Sequence, residues 1–143
     1  RIENDLDRLR NEFRGRVDAR LEYNEGVAHQ MYAGSDFLLM PSRVEPCGLN
    51  QMYAMRYGTM PIVRKVGGLK DSVPDIGEPN GLGRGIQFSH FDVDDAFKAL
   101  YRGLETIFFH LEHFNKTRAR NMQIDFSWER AAQHYIDIYR QLM

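Results

Sequence analysis

Apolar residues recur along this chain with two different spacings, which predict helices and strands in alternation. Ile2–Phe13 places an apolar side chain every three or four residues among charged ones, so it predicts a helix. Val17–Tyr23 alternates weakly and predicts a short strand. Glu25–Ala33 predicts a second helix that ends at Gly34. Phe37–Met40 is a continuous apolar run, typical of a strand that is buried on both faces of a parallel sheet.

The alternation continues through the middle of the chain. The pattern predicts a helix over Leu49–Tyr57 and a strand over Met60–Arg64. A helical start over Leu69–Ser72 and a last short strand over Gly85–Phe88 follow. Strands that alternate with helices predict βαβ units, and therefore an α/β fold with a parallel sheet and flanking helices.

The carboxyl-terminal part of the chain reads as helical. A stretch rich in Pro and Gly, 74–85, predicts a surface loop before it. Asp92 can cap a helix whose apolar stripe runs from Phe97 to Leu111. Ser127 can cap a terminal helix over 127–143, whose apolar side chains are expected to face inward. These are Trp128, Ala131, Ala132, Tyr135, Ile138, Tyr139 and Leu142.

The composition is that of an ordinary globular domain. The 143 residues are enough to bury a core, and 19 basic against 20 acidic residues give no reason to expect nucleic acid or an acidic membrane surface as a partner. No apolar run approaches the roughly 20 residues that span a bilayer. Cys47 is the only cysteine, which suits a reducing compartment. The chain begins at Arg1 without an initiator Met, so we expect a piece of a longer protein.

The loop Pro41–Gln51 carries the strongest candidate chemistry. It follows a predicted buried strand and leads into a helix, the place where open α/β sheets hold nucleotide-containing ligands. Glu45 can accept hydrogen bonds from two neighbouring sugar hydroxyls, and Gly48 lets a ligand approach the backbone. Free N–H groups at the helix start favour an anion such as a diphosphate. From the residues alone, an exposed loop acid and a tight turn are an equally good interpretation.

Two further features could belong to the same site. Gly67 and Gly68 could form a second backbone cradle near phosphates, with Lys65 or Arg64 nearby, or only a strand-to-helix turn. Tyr23, at the carboxyl end of a predicted strand, could stack on a base, a contact worth about 1–3 kcal/mol, or could be an ordinary packing tyrosine. The five histidines are scattered without a spacing suited to zinc, and Cys47 has no evident base partner.

Several of these segments together resemble bacterial glycogen synthases and plant starch synthases. The segments are Asp36–Gln51, Tyr57–Arg64, Gly67–Asp71 and Phe126-Ser127-Trp128, and the resemblance extends over nearly the whole chain from Tyr23 onward. It implies a GT-B architecture, in which residues 1–143 form part of the carboxyl-terminal, Rossmann-like, nucleotide-sugar-binding domain. It also implies glucose transfer from ADP-glucose to the non-reducing end of an α-1,4-glucan, with retention of configuration and without a metal or other cofactor.

The resemblance implies one catalytic residue, Glu45, beside the donor glucose. The other matching positions are implied to form walls of the donor site. They are the amides of Cys47 and Gly48 (glucose hydroxyls), the amides of Leu49 and Asn50 (diphosphate), the ring of Tyr23 (adenine), and Ser42 and Arg43 (the same wall).

In that family, the cations that neutralise the diphosphate and the amino-terminal domain that binds the glucan would precede Arg1. We therefore expect this chain alone to be inactive and to need the missing amino-terminal domain of its parent chain. Missing sheet strands would leave apolar edges, which favours self-association. The expected location is the bacterial cytoplasm, or a plastid in a plant. The alternatives are the donor-binding domain of another GT-B enzyme that uses a UDP-sugar, and a non-catalytic sugar- or nucleotide-binding module.

Overall fold

The computed structural model describes residues 2–142, in which helices alternate with three short strands. In chain order the elements are α1 (Ile2–Glu12), α2 (Glu25–Gly34), β1 (Phe37–Met40), α3 (Asn50–Arg56), β2 (Met60–Arg64), α4 (Gly67–Ser72), β3 (Ile86–Phe88), α5 (Val93–Phe109), α6 (Leu111–Met122) and α7 (Trp128–Leu142). No helix within residues 2–142 is both long enough and apolar enough to cross a membrane.

The three strands form one parallel sheet in the order β1-β2-β3, with Leu39 beside Ile62 and Ile62 beside Ile86. Successive side chains point to opposite faces, so each face of the sheet collects its own core. On one face, Ile62 and Ile86 pack with Ala99 of α5. On the other face, Val63 packs with Met55 of α3 and with residues of α4. The predicted α/β class with a parallel sheet is thus confirmed.

The strand predicted over Val17–Tyr23 is wrong. The segment between α1 and α2 contains no strand, and Leu21 and Tyr23 are 47% and 94% exposed. A strand needs a hydrogen-bonding neighbour, and within residues 2–142 the strand β1 pairs with β2 alone. The weakly alternating segment therefore has no neighbouring strand to pair with, and the preference of such residues for a strand depends on packing against neighbours.

Helix α5 approaches the sheet most closely through small residues. Ala99 and Gly103 are buried, and a Cβ at Gly103 would lie 3.1 Å from the ring of Phe37. The predicted stripe is divided: Leu100 packs against the core, whereas Phe97 and Phe108 are 65% and 74% exposed. Asp92 caps the helix as predicted, but the helix ends at Phe109, so Leu111 belongs to α6.

The inward orientation predicted for the terminal helix is also wrong. Helix α7 has no buried residue, and Trp128, Tyr139 and Leu142 are 84%, 65% and 79% exposed. Ser127 does accept a hydrogen bond from the N–H of Arg130 at 3.4 Å, as expected of a cap. An amphipathic pattern shows which face of a helix is apolar, but it cannot show whether the same chain supplies the surface that covers it.

Asp75 anchors the loop 74–85. Its carboxylate is 17% exposed and accepts hydrogen bonds from Arg102 (2.6 and 3.2 Å), from the N–H of Gln87 (2.7 Å) and from the N–H of Gly77 (2.8 Å). Burial by itself raises the pKa of Asp75, but these hydrogen bonds outweigh it and lower the pKa below its ordinary value. The ionised carboxylate therefore stabilises the folded loop.

The glycine pair at the start of α4 lies against the loop that follows β1. The N–H of Gly68 donates to the carbonyl of Pro46 at 3.3 Å. A Cβ at Gly68 would lie 2.8 Å from the Cα of Cys47 and still closer to its carbonyl oxygen. Gly67 has a φ of +48°, and its Cβ would collide with the carbonyl of Glu45. Both positions need glycine because the two backbones touch.

We predict that Asp75→Asn lowers the free energy of unfolding at pH 7 by about 1–3 kcal/mol, because a buried charge-assisted network loses its anion. The folded-state pKa is depressed, so this stabilisation is present above the unfolded pKa of about 3.9 and is lost as the pH falls through the folded pKa. The free energies of unfolding of the wild type and the variant in urea should therefore begin to converge at about pH 4 and meet only once the pH has fallen below the folded pKa. The control Asp7→Asn, which removes an exposed pair with Arg10, should change stability by less than about 0.5 kcal/mol. The prediction would be contradicted if Asp75→Asn lowered the free energy of unfolding by the same amount at pH 7 and at a pH below the folded pKa.

We also predict that Gly68→Ala costs about 1–3 kcal/mol in thermal unfolding, because its methyl group would overlap the backbone of Cys47. Gly34→Ala is the matched control, since a Cβ there has no heavy atom within 4 Å, and it should be neutral or stabilising by up to about 1 kcal/mol. Similar melting temperatures for the two variants would contradict the contact between α4 and the loop.

Candidate functional site

The loop between β1 and α3 turns five of its carbonyl groups into the protein. Three residues supply the donors, Arg64, Gly68 and Gln51. The bonds are Arg64 Nη1 to Ser42 O (3.3 Å) and Arg43 O (3.0 Å), Gly68 N to Pro46 O (3.3 Å), and Gln51 Nε2 to Cys47 O (3.2 Å) and Gly48 O (3.0 Å). Because a buried carbonyl without a donor is costly, these bonds fix the path of the loop.

Gln51 is the buried centre of this arrangement. Its side chain is fully buried, and its amide nitrogen also lies 3.1 Å from Ser72 Oγ, which donates to the carbonyl of Gly68 at 2.6 Å. Gly48 has a φ of +73°, and a Cβ there would lie 2.6 Å from Gln51 Oε1. The sequence analysis gave Gln51 no role. The available signal was its helical spacing from the buried residues Ala54 and Met55, which places a polar side chain on an apolar face.

Unlike the carbonyls, the backbone N–H groups of the same loop are not paired within the protein. Within residues 2–142, the N–H groups of Cys47, Gly48, Leu49 and Asn50 have no hydrogen-bond partner. Helix α3 begins at Asn50, and no side chain caps it. The first turn of a helix presents such N–H groups together with the positive end of the helix dipole. Four consecutive donors are therefore available to an acceptor from outside.

Glu45 precedes these donors by two residues in the same loop, and its side chain is half-buried. Its Oε2 accepts from Ser42 Oγ at 3.4 Å, and the ion pairs of the described chain do not include Glu45. The structure thus pairs Ser42 with Glu45 in the loop that carries the four free N–H groups. Their roles toward a ligand stay predictions.

Two arginines flank the ring of Phe91 next to the loop. The guanidinium carbons of Arg43 and Arg64 lie 6.0 and 5.7 Å from the centre of the ring. Arg43, a predicted wall residue, is exposed. Arg64, which the sequence placed only near the possible cradle of Gly67 and Gly68, reaches the loop from the carboxyl end of β2. No local pattern marks it, because its contacts span 21 and 22 residues of sequence.

The other candidates lie differently from what the sequence suggested. The N–H of Gly68 is occupied by Pro46, so the glycine pair supports the loop from behind rather than offering that donor to a ligand. Tyr23 is 94% exposed and does not end a strand of the sheet, because the predicted strand is absent. Its stacking on a base stays a prediction. In residues 2–142, no three His, Cys, Asp or Glu side chains gather closely enough to hold a metal ion.

Comparison with known proteins gives one consistent family. No family model matches the chain. A glycogen synthase from Flavobacterium johnsoniae is 49% identical over 142 residues, which are 99% of this chain and 29% of that protein. Among solved structures, the catalytic domain of starch synthase IV from Arabidopsis thaliana, bound to ADP and acarbose, superposes with a TM-score of 0.85 and 37% identity over 98% of this chain and 29% of its own.

A more distant solved structure shares the fold. Sucrose-phosphate synthase from Thermosynechococcus elongatus has a TM-score of 0.68 and 26% identity over 99% of this chain and 33% of its own. The chain therefore spans about a third or less of the length of each of these proteins. The likenesses confirm the family predicted from the motifs, with its GT-B fold: the chain belongs to the glycogen and starch synthase family and matches 29% of the length of its Flavobacterium relative.

Proposed function

We propose that this chain forms one wall of the donor site of a glucosyltransferase. The whole protein would transfer glucose from ADP-glucose to the non-reducing end of an α-1,4-glucan, with retention of configuration. The observation that carries the proposal is the loop between β1 and α3, with its carbonyls held inside and its amides at 47–50 free beside Glu45. Membership of the glycogen and starch synthase family supports the choice of substrates.

Each part of the loop has a proposed partner on the donor. The amides of Cys47 and Gly48 donate to glucose hydroxyls. The amides of Leu49 and Asn50 donate to the diphosphate, which the start of a helix favours. Glu45 accepts from the sugar and stabilises the positive charge that develops on the glucose ring as the bond to the diphosphate breaks. Because the inward carbonyls hold the loop in place, these groups need little rearrangement when the donor binds.

The remaining residues have supporting roles in the proposal. Ser42 holds the carboxylate of Glu45 through its hydroxyl, and Arg43 shapes the same wall. Tyr23 stacks on the adenine, for which its exposed ring is accessible. The transfer is proposed to need no metal or other resident cofactor. Cations that neutralise the diphosphate and the groups that hold the glucan would come from the rest of the longer protein.

The outward apolar faces support the need for that remainder. The stripe on α5 continues into an apolar hollow of about 410 Å³, lined by residues that include Leu39, Phe88 and Phe97. Helix α7 is apolar on one side and likewise uncovered. We propose that these faces pack against the amino-terminal part of the parent chain, and that the chain self-associates when that part is missing.

The donor is assigned to ADP-glucose over a UDP-sugar. The starch synthase structure, which was solved with ADP, has 37% identity and a TM-score of 0.85, against 26% and 0.68 for the sucrose-phosphate synthase. The bacterial cytoplasm is the proposed location, because the Flavobacterium relative is bacterial.

We predict that Glu45→Ala in the full-length protein lowers kcat for glucan elongation by at least about 100-fold, since an electrostatic group at the reacting centre is lost. The assay measures ADP release from ADP-glucose with glycogen as acceptor. Glu78→Ala, which removes an exposed carboxylate from the loop 74–85, is the matched control and should leave the rate unchanged.

Two further arms complete the test. The 143-residue chain alone should give no turnover above background, and UDP-glucose should be a poorer donor than ADP-glucose for the full-length protein. A near-normal rate for Glu45→Ala would remove the role assigned to Glu45. Faster turnover with UDP-glucose would favour the other class of GT-B enzyme.

A further inference from the structure

We infer that Arg64 is a positioning residue for the reaction: it acts through the backbone of Ser42 and Arg43 to hold the carboxylate of Glu45 in place. This rests on the proposed function for its effect on rate, but its effect on the loop can be measured separately. Arg64 is the last residue of β2, the central strand, and its backbone pairs with Phe88 of β3.

The first step is the contact with the loop. Arg64 Nη1 donates to the carbonyl of Arg43 at 3.0 Å and to that of Ser42 at 3.3 Å. These residues come just before Glu45, on the side of the loop that Gln51 and Gly68 do not reach. Hydrogen bonds from a charged donor are about twice as strong as neutral ones, so one guanidinium can fix this half of the loop.

The second step is the orientation of the guanidinium itself. Its carbon lies 5.7 Å from the centre of the Phe91 ring, and its Nε is buried without a hydrogen-bond partner. A buried donor without a partner destabilises the fold. The side chain nevertheless keeps this orientation, in which Nη1 donates to the two carbonyls. Stacking on Phe91 favours the same orientation.

The third step connects Arg64 to the carboxylate. Ser42 accepts from Arg64 through its carbonyl and donates to Glu45 Oε2 through its hydroxyl at 3.4 Å. Moving the backbone of Ser42 therefore moves the partner of Glu45. The carbonyls of Pro46, Cys47 and Gly48 are held by other donors, Gly68 and Gln51. The loss of Arg64 should therefore disturb Glu45 more than the proposed diphosphate contacts.

The test uses the full-length protein with Arg64→Met, which keeps an unbranched apolar side chain beside Phe91 but has no donor. We expect kcat with ADP-glucose to fall about 10- to 100-fold, because a small misplacement of a catalytic group has such an effect. The KM for ADP-glucose should change less than about threefold. Arg64→Lys, which keeps a charged donor near the carbonyls, should recover most of the rate.

A second measurement reads the loop directly. In limited proteolysis, trypsin should cleave after Arg43 about 10-fold faster in Arg64→Met than in the wild type, because the backbone at Ser42 and Arg43 loses the donor that holds it. Arg118→Met is the matched control. Arg118 also donates to a backbone carbonyl, Gly58 O at 2.5 Å, and lies near an aromatic ring, Phe114, but away from the loop. It should lower stability without changing the rate of cleavage after Arg43 or the ratio of kcat to KM.

The outcomes separate the two proposals. A wild type without ADP-glucose-dependent elongation overturns the proposed function, and the cleavage measurement then still decides whether Arg64 holds the loop. An active wild type whose kcat and cleavage after Arg43 are unchanged by Arg64→Met overturns the inference. If Arg64→Met does not fold, the same two measurements on Arg64→Gln decide, since this shorter, uncharged side chain weakens both carbonyl contacts; unchanged kcat and unchanged cleavage overturn the inference.

Discussion

The fixed direction of the peptide groups in one loop is the constraint on which the site depends. Three residues, Arg64, Gln51 and Gly68, donate hydrogen bonds to five carbonyls of this loop. Five hydrogen bonds would have to break together for the loop to turn over, so it has little freedom to do so. Since a peptide group has its N–H opposite its C=O, the same constraint leaves the N–H groups of Cys47, Gly48 and Leu49 facing away from these donors, while the carbonyl that shares a peptide group with the N–H of Asn50 is paired within the helix turn. The hydrogen bonds to the carbonyls on one side of the loop thus preorganise the N–H donors on the other side.

The sheet explains why the donors come from three elements that are separate in sequence. Parallel strands bring the carboxyl ends of β1 and β2 to one edge, where the loop begins and where Arg64 ends its strand. Helix α4 follows β2 and lays its glycine pair on the loop. The small residues of α5, with Leu100, cover the opposite face of the sheet, while Phe97 and Phe108 of that helix are exposed. The chain is thus well packed around its loop and uncovered on its outer faces.

Much of the fold could be predicted because its signals are local. The strand Phe37–Met40 and the helix that ends before Gly58 need only spacing and composition. The expected burial of that strand on both faces was wrong, because within residues 2–142 it lies at the sheet edge and Leu39 is 39% exposed. The segment Val17–Tyr23 and the terminal helix failed for the opposite reason, since a strand partner and a covering surface are properties of the rest of the structure. In the site, Glu45 and Gly48 could be predicted from their motif. Gln51 and Arg64 could not, because their importance lies in carbonyls and hydroxyls that they meet only after folding.

The most direct test of the central claim is amide hydrogen exchange in the full-length protein with and without ADP-glucose. If the loop offers its free amides to the donor, exchange at Cys47, Gly48, Leu49 and Asn50 should slow on addition of ADP-glucose, whereas the helical amides of α6, far along the chain, should not change. Slowed exchange elsewhere in the protein, with these four amides unaffected at saturating donor, would contradict it.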